Sequence, residues 1–419
     1  MKRAVITGLG VIAPNGLTVS SFWDSVQAGR VVIEDDPLMI EINLQCHGVA
    51  RCHGFQPGDL DDDDTLKEVA GLGRFAQLGA AAASQAATDA GLPIEADRCA
   101  PGGVVFASAV GGAPEMQLLY ERLTGNGTTA IRPAPLDSSA YDGIFLDALP
   151  ALLARRYGLT GPTATLTTGC TAGLDALGLA VELVRHGEAP FVIAGAGESP
   201  LNGISYATLD VIGCLSRTDG PVQRASRPFD ATRAGFVISE GAAFVVVEEA
   251  EHAERRGARP HAEVLGWAST SNAHHMTDLL SDGRSMESTL HATLTDSHTA
   301  PEAIDYINAH GSSTPQNDLF ETNAIKSVFG DGAYQIPISS LKSMIGHSLS
   351  SASLMALVAT IGAMHRATIP PTANFENPDP ACDLDYVVDG PRYQTVERAL
   401  VMASGFGGIH TAAVLRGLR

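Results

Sequence analysis

The chain has 419 residues, of which 45% are hydrophobic and 18% charged, and this balance excludes a disordered protein. A net charge of −20 argues against nucleic acid as a partner, because phosphate binding needs a basic face. No apolar run approaches the roughly 20 residues that cross a bilayer, so we expect neither a membrane span nor a membrane partner.

The cysteines are scattered and lack the spacing of a disulfide framework, which favours the reducing environment of the cytoplasm. Two of them, Cys46 and Cys52, each precede a histidine in the stretch CHGVARCH. One interpretation is half a zinc site. We favour a surface loop, because no second ligand pair has zinc-finger spacing, and we therefore expect no metal ion.

The first half of the chain predicts strands that alternate with long helices. Strands are predicted at residues 4–8, 104–108, 191–196 and 243–248, which are rich in β-branched and small residues. Helices are predicted at residues 74–90 and 171–186, where Gly91 and Gly187 end them. Strands separated by long helices indicate an α/β fold with parallel strands and helices on the faces of the sheet.

A second series of elements follows a short charged helix at residues 249–257. Strands are predicted at residues 263–268, 305–309, 336–340, 400–404 and 411–415, and a long helix runs from Gly346 to about His365. The two halves therefore look like two versions of one pattern, which we divide at residues 1–250 and 251–419. No repeat in the sequence supports this duplication directly. The less regular stretches 109–152 and 269–297 are candidates for lids or partner contacts.

The N-terminal strand is followed by a pattern that resembles a dinucleotide-binding motif. Gly8 and Gly10 begin a G-x-G-x-x-A sequence, which in such proteins leads into a helix. Here Pro14 and Gly16 would disrupt a helix at that point, and no acidic residue ends a second strand about 20 residues later. We interpret the pattern as a tight turn between strand and loop, and reject a nicotinamide-dependent enzyme.

Cys170 lies between small residues immediately before an amphipathic helix, in the stretch TTGCTAGLD. At a helix N-terminus the free N–H groups and the helix dipole favour negative charge. We therefore expect a lowered pKa for the Cys170 thiol and a nucleophilic role. A buried structural cysteine is the alternative, and this motif alone does not decide between them.

Two histidines each follow a predicted strand, where the functional sites of α/β sheets lie. His310 occurs in YINAHGSST, and His347 in SSLKSMIGHS, which also contains Lys342. One such histidine is more often structural, but two of them together with a helix-capping cysteine indicate a site. The glycine-rich stretch 404–408 allows backbone N–H groups to point inward, as an oxyanion hole requires, although it can also be a plain turn.

These four motifs, in this order, resemble those of the β-ketoacyl synthases of the thiolase superfamily. The resemblance covers nearly the whole chain and includes the stretches SRPFD from Ser226, AHHMT from Ala273 and PPTAN from Pro370. The stretches TGCTAGLD, DPACDLDYV and SGFGG look most like the ketosynthase α-subunit of bacterial type II polyketide synthases. The resemblance implies the thiolase fold, a duplicated five-layered αβαβα core.

The resemblance also implies an acyltransferase activity, the decarboxylative Claisen condensation of a Cys170-bound acyl group with malonyl-acyl carrier protein in polyketide chain elongation. It marks Cys170, His310, His347 and Lys342 as catalytic, and Cys170 and Phe406 as oxyanion donors, with Phe406 also as a gate. It marks Asp318 and Glu321 as supporting residues and Ser312 and Thr314 as pantetheine-binding residues. The residues that it implies for docking of the carrier are Lys67 and Arg217. No bound cofactor is implied, because the substrates arrive on the phosphopantetheine of the acyl carrier protein. The expected partners are that carrier and a chain-length-factor homologue in a heterodimer, or a second copy in a homodimer.

Three alternatives belong to other classes or branches. A housekeeping fatty-acid β-ketoacyl synthase is the nearest enzymatic rival. A chain-length-factor-like scaffold would be a non-enzyme, and Cys170 argues against it because such subunits replace that residue. A biosynthetic thiolase fits less well, since its second catalytic cysteine has no matching motif.

The sequence departs from the family pattern in the helix that follows His347. Relatives usually carry Gly-Ala-x-Gly and then a glutamate, whereas this chain has Ser350 and Ser353, with Ala356 in place of the acid. Ser313 stands where the polyketide relatives often have glycine. We expect these changes to alter the buried polar network behind Lys342 and the shape of the acyl tunnel.

Overall fold

The structure is a computed structural model that describes residues 1–57, 68–92, 100–131, 136, 139–217, 220–280 and 282–418. Within these ranges no helix is long and apolar enough to cross a bilayer.

The predicted strands and long helices of the first half all occur, with small differences at their ends. The strands are β1 Ala4–Ile12, β2 Glu34–Asp35, β3 Gly48–Ala50, β4 Gly103–Ala107, β5 Thr163–Leu166, β6 Phe191–Glu198, β7 Ile238–Ser239 and β8 Gly241–Glu249. The helices are α1 Val19–Gln27, α2 Pro37–Glu41, α3 Arg74–Asp89, α4 Ala113–Thr124, α5 Ser139–Ile144, α6 Ala148–Arg156, α7 Ala172–Arg185 and α8 Gly203–Ile212.

The second half also contains the predicted elements. It begins with α9 Ala250–Arg255, and its strands are β9 Ala262–Ser271, β10 Tyr306–Asn308, β11 Ile338–Ser339, β12 Thr368–Ile369, β13 Arg392–Tyr393, β14 Arg398–Gly405 and β15 Ile409–Gly417. Its other helices are α10 Arg284–Asp296, α11 Pro315–Phe329, α12 Lys342–Ile345 and α13 Ala352–Arg366.

The large sheet is built from two halves with the same topology. Its strand order is β11-β10-β14-β15-β9-β1-β8-β6-β4-β5, so that β5-β4-β6-β8-β1 in the first half corresponds to β11-β10-β14-β15-β9 in the second. The two halves join where β1 pairs with β9 at Val5 and Ile6. The duplication suggested by the order of elements is therefore confirmed.

The expectation of parallel strands is only partly right. In each half two neighbouring pairs are parallel and two are antiparallel, and the antiparallel strand is the last one, β8 or β15. In the second half the reason is the connection, because β14 turns directly into β15 through residues 406–408 without a helix that would carry the chain back.

Helices cover both faces of each half-sheet and also fill the space between the halves. Alternate residues of β14 point in opposite directions: Val401 packs with α7 and α13 in the central core, while Leu400 packs with α10 and α11 on the outside. On the other side of the molecule, α3 packs against the outer face of β4 and β8. The layers are therefore α3, half-sheet, α7 with α13, half-sheet, and α10 with α11.

The glycines of the N-terminal pattern serve close packing. A Cβ on Gly8 would lie 2.0 Å from Ala86 O, and one on Gly10 would lie 1.9 Å from Ala82 O, so α3 crosses β1 where side chains are absent. The interpretation as a tight turn is wrong, because β1 continues through the pattern to Ile12. The absence of a helix start at that point is confirmed, since the following helix begins at Val19.

The cysteine–histidine stretch is not a surface loop, which corrects our interpretation. Cys46 and Cys52 are each 2% exposed, on either side of β3, and the backbone N–H of Cys52 donates to Glu240. Burial against the core rather than a metal ion explains these thiols. In the described ranges no group of three or more histidines, cysteines or carboxylates is arranged to hold a metal.

Candidate active site

Three separate segments deliver the predicted catalytic side chains. Cys170 lies in the short 3-10 turn Gly169–Thr171, which leads directly into α7. His310 follows β10, and His347 follows Gly346, whose φ of +69° favours glycine. The backbone N–H of His347 donates to Val237 O at 2.7 Å, which fixes the histidine beside the short strand β7.

These side chains meet at one cavity of about 280 Å³. Of the predicted site residues, the cavity is lined by Cys170, His310, His347, Phe406, Ser312 and Thr314. The two imidazole rings lie 5.3 Å apart between centroids, at an angle of 78°. One chamber thus contains a thiol and two imidazoles.

Both imidazoles are held in their neutral form. Burial, helped by the Lys342 charge, shifts the pKa of His310 and of His347 well below the usual value. The buried Nδ1 atom of each ring has no hydrogen-bond partner within the described chain. A neutral imidazole keeps one N–H donor and one lone pair, so each ring can either donate a hydrogen bond or take up a proton.

The resting thiol of Cys170 does not match our expectation of a lowered pKa. The side chain is only 7% exposed, and burial raises its pKa to about 12. The nearby Lys342 ammonium and the backbone N–H of Cys170 lower this pKa, and the Glu198 carboxylate raises it, but loss of solvent outweighs them. The sulfur is therefore protonated at rest, and it must lose its proton when it reacts.

Lys342 lies behind His310 and is not part of the cavity wall. Its ammonium donates to His310 O at 2.5 Å and is nearly enclosed, so burial lowers its pKa. Glu321 accepts from the backbone N–H groups of His310 at 2.6 Å and Gly311 at 2.8 Å, and burial raises its pKa. The pair positions the histidine through its backbone.

Asp318 supports the loop that follows His310. It accepts hydrogen bonds from the backbone N–H of Phe229 at 2.8 Å and of Ser313 at 3.2 Å. Ser313 adopts a φ of +72°, a backbone conformation that favours glycine. Its hydroxyl compensates in part by accepting from Arg227 N at 2.9 Å.

The remaining predicted residues differ in how closely they approach the cavity. Ser312 and Thr314 line it, and their hydroxyls lie 2.8 Å apart, while Thr314 also caps α11. Arg217 lies on the surface, where its guanidinium donates to the backbone oxygen of Asp210 at 2.9 Å. Lys67 lies outside the described residues.

The structure adds two residues that the sequence did not single out for the site. Cys214 is a second thiol in the cavity wall, and no signal in the sequence indicated it. Glu198, at the end of β6, is fully buried and accepts from Ser350 Oγ at 2.6 Å. The departure from the family pattern at Ser350 was the one signal in the sequence for this contact. The Ser350 hydroxyl bonds to Glu198 near Cys170, and not to the polar network behind Lys342 where we expected a change.

Comparisons with known proteins agree with the fold and the cavity. The family model of the β-ketoacyl synthase N-terminal domain matches residues 1–253, and that of the C-terminal domain matches residues 261–376. The tetracenomycin polyketide synthase ketoacyl synthase alpha subunit of Streptomyces glaucescens is 40% identical, over 99% of this chain and 97% of its own. The 3-oxoacyl-acyl-carrier-protein synthase 2 of Coxiella burnetii is 36% identical, over 99% of this chain and 98% of its own.

Two solved structures share the whole fold. A type II polyketide synthase ketosynthase, bound to a hexaketide and solved with its acyl-carrier protein, superposes with a TM-score of 0.92 at 37% identity, covering 100% of both chains. The ishigamide ketosynthase/chain length factor gives a TM-score of 0.88 at 29% identity, also over 100% of both chains. The fold is thus the thiolase-type fold of the ketosynthases, and this chain belongs to the β-ketoacyl synthase family.

Proposed function

We propose that this chain is the ketosynthase α-subunit of a type II polyketide synthase, which condenses a Cys170-bound acyl group with malonyl-acyl carrier protein. The observation that carries the proposal is the single cavity that contains the Cys170 thiol and two neutral imidazoles. The full-length similarity to polyketide ketosynthase α-subunits supports the choice of pathway type.

In the first step the acyl group moves from the phosphopantetheine sulfur of the carrier to Cys170 Sγ. The carrier C–S bond breaks, a new thioester forms, and the thiol proton reaches the departing carrier thiolate through a neighbouring imidazole. The carbonyl oxygen becomes negative in the tetrahedral intermediate. The backbone N–H groups of Cys170 and Phe406 stabilise that charge.

In the second step malonyl-carrier occupies the cavity. Neutral His310 and His347 donate hydrogen bonds to its thioester carbonyl and stabilise the enolate that forms when carbon dioxide leaves. The enolate carbon attacks the acyl carbonyl, the bond to Cys170 Sγ breaks, and the departing thiolate takes up a proton that comes from solvent through a neighbouring imidazole. The product is a β-ketoacyl chain, longer by two carbons, on the carrier.

The supporting residues hold this arrangement in place. Lys342, Glu321 and Asp318 fix the loop of His310. Burial lowers the pKa of the His310 imidazole, and the positive charge of Lys342 adds to that effect, so the ring stays neutral. The Ser312 and Thr314 hydroxyls line the cavity, where the pantetheine arm would donate and accept hydrogen bonds. No resident cofactor is needed, because the chemistry uses the thioesters that the carrier delivers.

An exposed apolar surface favours pairing with a homologous chain. Strand β5 forms one edge of the large sheet and packs against α6. Next to α6 lies α5, which contacts α4, and α4 contacts α8; these three helices have apolar side chains in solvent. These exposed side chains are Met116, Leu118, Tyr120, Tyr141, Phe145, Ile204 and Val211. Such a surface on a soluble enzyme is typical of an interface, and we propose a chain-length-factor homologue as the partner, with a second copy as the alternative.

The carrier is acidic, and we propose Lys67 and Arg217 as its basic contacts. The cysteines that the structure describes are all free, which suits the cytoplasm as the site of action.

Co-expression with a chain-length-factor homologue, followed by size-exclusion chromatography, distinguishes the polyketide enzyme from a fatty-acid synthase. A stable homodimer that extends acyl chains without a partner would favour the fatty-acid enzyme.

Intact-mass analysis of acyl loading tests the chemistry. Purified protein is incubated with acyl-carrier, and the added acyl mass is located by peptide mapping. We expect Cys170→Ala to remove the acyl mass and Cys214→Ala to keep it, although both thiols line the cavity. Each of the single variants His310→Ala and His347→Ala leaves one imidazole in the cavity to take the thiol proton, so we expect each still to be acylated. Carbon dioxide release from malonyl-carrier should fall by 10²-fold or more in each, roughly the scale of general acid–base contributions. Loading of Cys214 in the native protein would contradict the proposal.

A further inference from the structure

The Asp175 carboxylate accepts hydrogen bonds from hydroxyls on two separate parts of the molecule. It lies in the first turn of α7, is 7% exposed, and accepts from the Thr168 hydroxyl and, at 2.8 Å, from the Thr171 hydroxyl on its Oδ2 atom. Those threonines flank Cys170. Its other oxygen, Oδ1, accepts from Thr411 Oγ1 at 2.6 Å, and Thr411 belongs to β15.

The hairpin that carries Thr411 also carries Phe406, the predicted gate residue. Thr411 pairs with Ala403 of β14, and β14 and β15 are joined by the turn at residues 406–408, which contains Phe406. The backbone of Gly405 packs directly on the nucleophile turn, since a Cβ there would lie 3.4 Å from Cys170 N and 3.5 Å from Thr168 O. Asp175 therefore connects the turn that contains Cys170 to the β14–β15 hairpin that contains Phe406. The connection lies next to the place where Gly405 packs on the Cys170 turn.

From this geometry we infer that Asp175 is a positioning residue that sets the spacing between the backbone N–H groups of Cys170 and Phe406. The inference rests on the proposed function, in which those two groups stabilise the tetrahedral oxyanion. An oxyanion hole works only when both donors lie at hydrogen-bond distance from one oxygen, so a small displacement of the hairpin weakens it. A carboxylate can make both connections at once, because it accepts on two oxygens.

The hydrogen bond to Thr411 can be removed without changing Asp175 itself. Thr411→Val keeps the shape of the side chain and removes the hydroxyl that ties β15 to Asp175, together with its 3.0 Å contact with Ser269 Oγ on β9. Thr411→Ser is the matched control, because it keeps the hydroxyl. Neither change touches Cys170, the histidines or the cavity wall.

The test compares two reactions of the same sulfur. Acylation of Cys170 by an acyl-carrier passes through an oxyanion, whereas alkylation by iodoacetamide does not. Both rates are measured at one pH by peptide-resolved mass spectrometry, so that Cys214 is counted separately. We expect Thr411→Val to slow acylation about tenfold, a fraction of the loss caused by removing an oxyanion donor. Alkylation should stay within about twofold, and Thr411→Ser should restore the native acylation rate.

The outcomes separate this inference from the proposed function. If acylation and alkylation fall together in Thr411→Val, the hydroxyl is merely structural and the inference is overturned. The same conclusion follows if neither rate changes. If native protein is not acylated at Cys170 by any acyl-carrier, the proposed function itself is wrong, whichever way the variants behave.

Discussion

Replacing Ser350 with alanine tests how the chain keeps a charged carboxylate next to its nucleophile. Glu198 accepts from four donors: Ser350 Oγ and Ala109 N, each at 2.6 Å from Oε2, and Ser108 Oγ at 3.0 Å and Val110 N at 3.2 Å from Oε1. Backbone N–H groups cannot accept a hydrogen bond, so this set of partners suits an ionised carboxylate. Burial nevertheless raises the pKa of Glu198.

The expected magnitude follows from the charge of the acceptor. A hydrogen bond to a charged group contributes about 1.5–3 kcal/mol, so we expect Ser350→Ala to lower the free energy of unfolding by about 2 kcal/mol at pH 8. Ser351 provides a matched control, because it is equally buried and its hydroxyl donates only to neutral oxygens of Ser348, with the backbone O at 3.1 Å and the side-chain Oγ at 2.8 Å. Ser351→Ala should cost only about 1 kcal/mol. Urea unfolding measures both.

The pH dependence distinguishes a charged acceptor from a neutral one. Losing a donor raises the pKa of Glu198 further, so Ser350→Ala loses additional stability as the pH rises and the buried carboxyl ionises. The difference between the two variants should therefore shrink when unfolding is repeated at pH 5. Equal losses for the two variants at pH 8, or a difference that does not change with pH, would refute the reasoning.

Two further substitutions probe strain and protonation. In urea unfolding, Ser313→Gly should be about 1 kcal/mol more stable than Ser313→Ala. Both variants lose the hydrogen bond from Arg227 N, but only glycine relieves the strain of the φ of +72°. Equal stabilities of the two variants would contradict this. Burial lowers the pKa of His410 to about 4, whereas an unfolded histidine titrates near 6.5, so its stabilising contribution is complete above about pH 6.5 and falls as the pH drops. Between pH 7 and 5 the native protein should therefore lose about 2 kcal/mol more than His410→Phe, and identical losses would exclude this role.

The sequence predicted the elements better than their directions. Gly91 and Gly187 correctly indicated where two helices end, since both adopt the positive φ that glycine favours. Strands β8 and β15 were predicted, but their antiparallel direction was missed, because a pattern of buried residues shows that a strand exists and not which way it runs. The turn at residues 406–408 could have indicated the hairpin, but it was interpreted as a source of N–H groups or as a plain turn, and not as a reversal between two paired strands.

The meeting of the two histidines could be predicted, whereas the approach of Cys170 could not. Strands β10 and β11 pair in parallel, Asn308 opposite Ser339, so the segments that follow them emerge at the same edge of the sheet. Cys170 comes from the other half of the chain, and its position depends on how α7 packs against α13. That contact requires Gly173, where a Cβ would lie 2.6 Å from the backbone oxygen of Ser350.

The raised pKa of Cys170 changes how the site must work. A thiol with a pKa of about 12 forms a free thiolate at pH 7 only at a cost of about 7 kcal/mol, at 1.36 kcal/mol per pKa unit. The Lys342 charge and the backbone N–H of Cys170 act against this cost but do not overcome it. Proton loss must therefore accompany the attack on the thioester, and the neutral imidazoles are buried groups in the cavity wall that can accept the proton. The same burial that makes the thiol unreactive at rest keeps both imidazoles neutral, so one property of the cavity protects the sulfur and prepares the base.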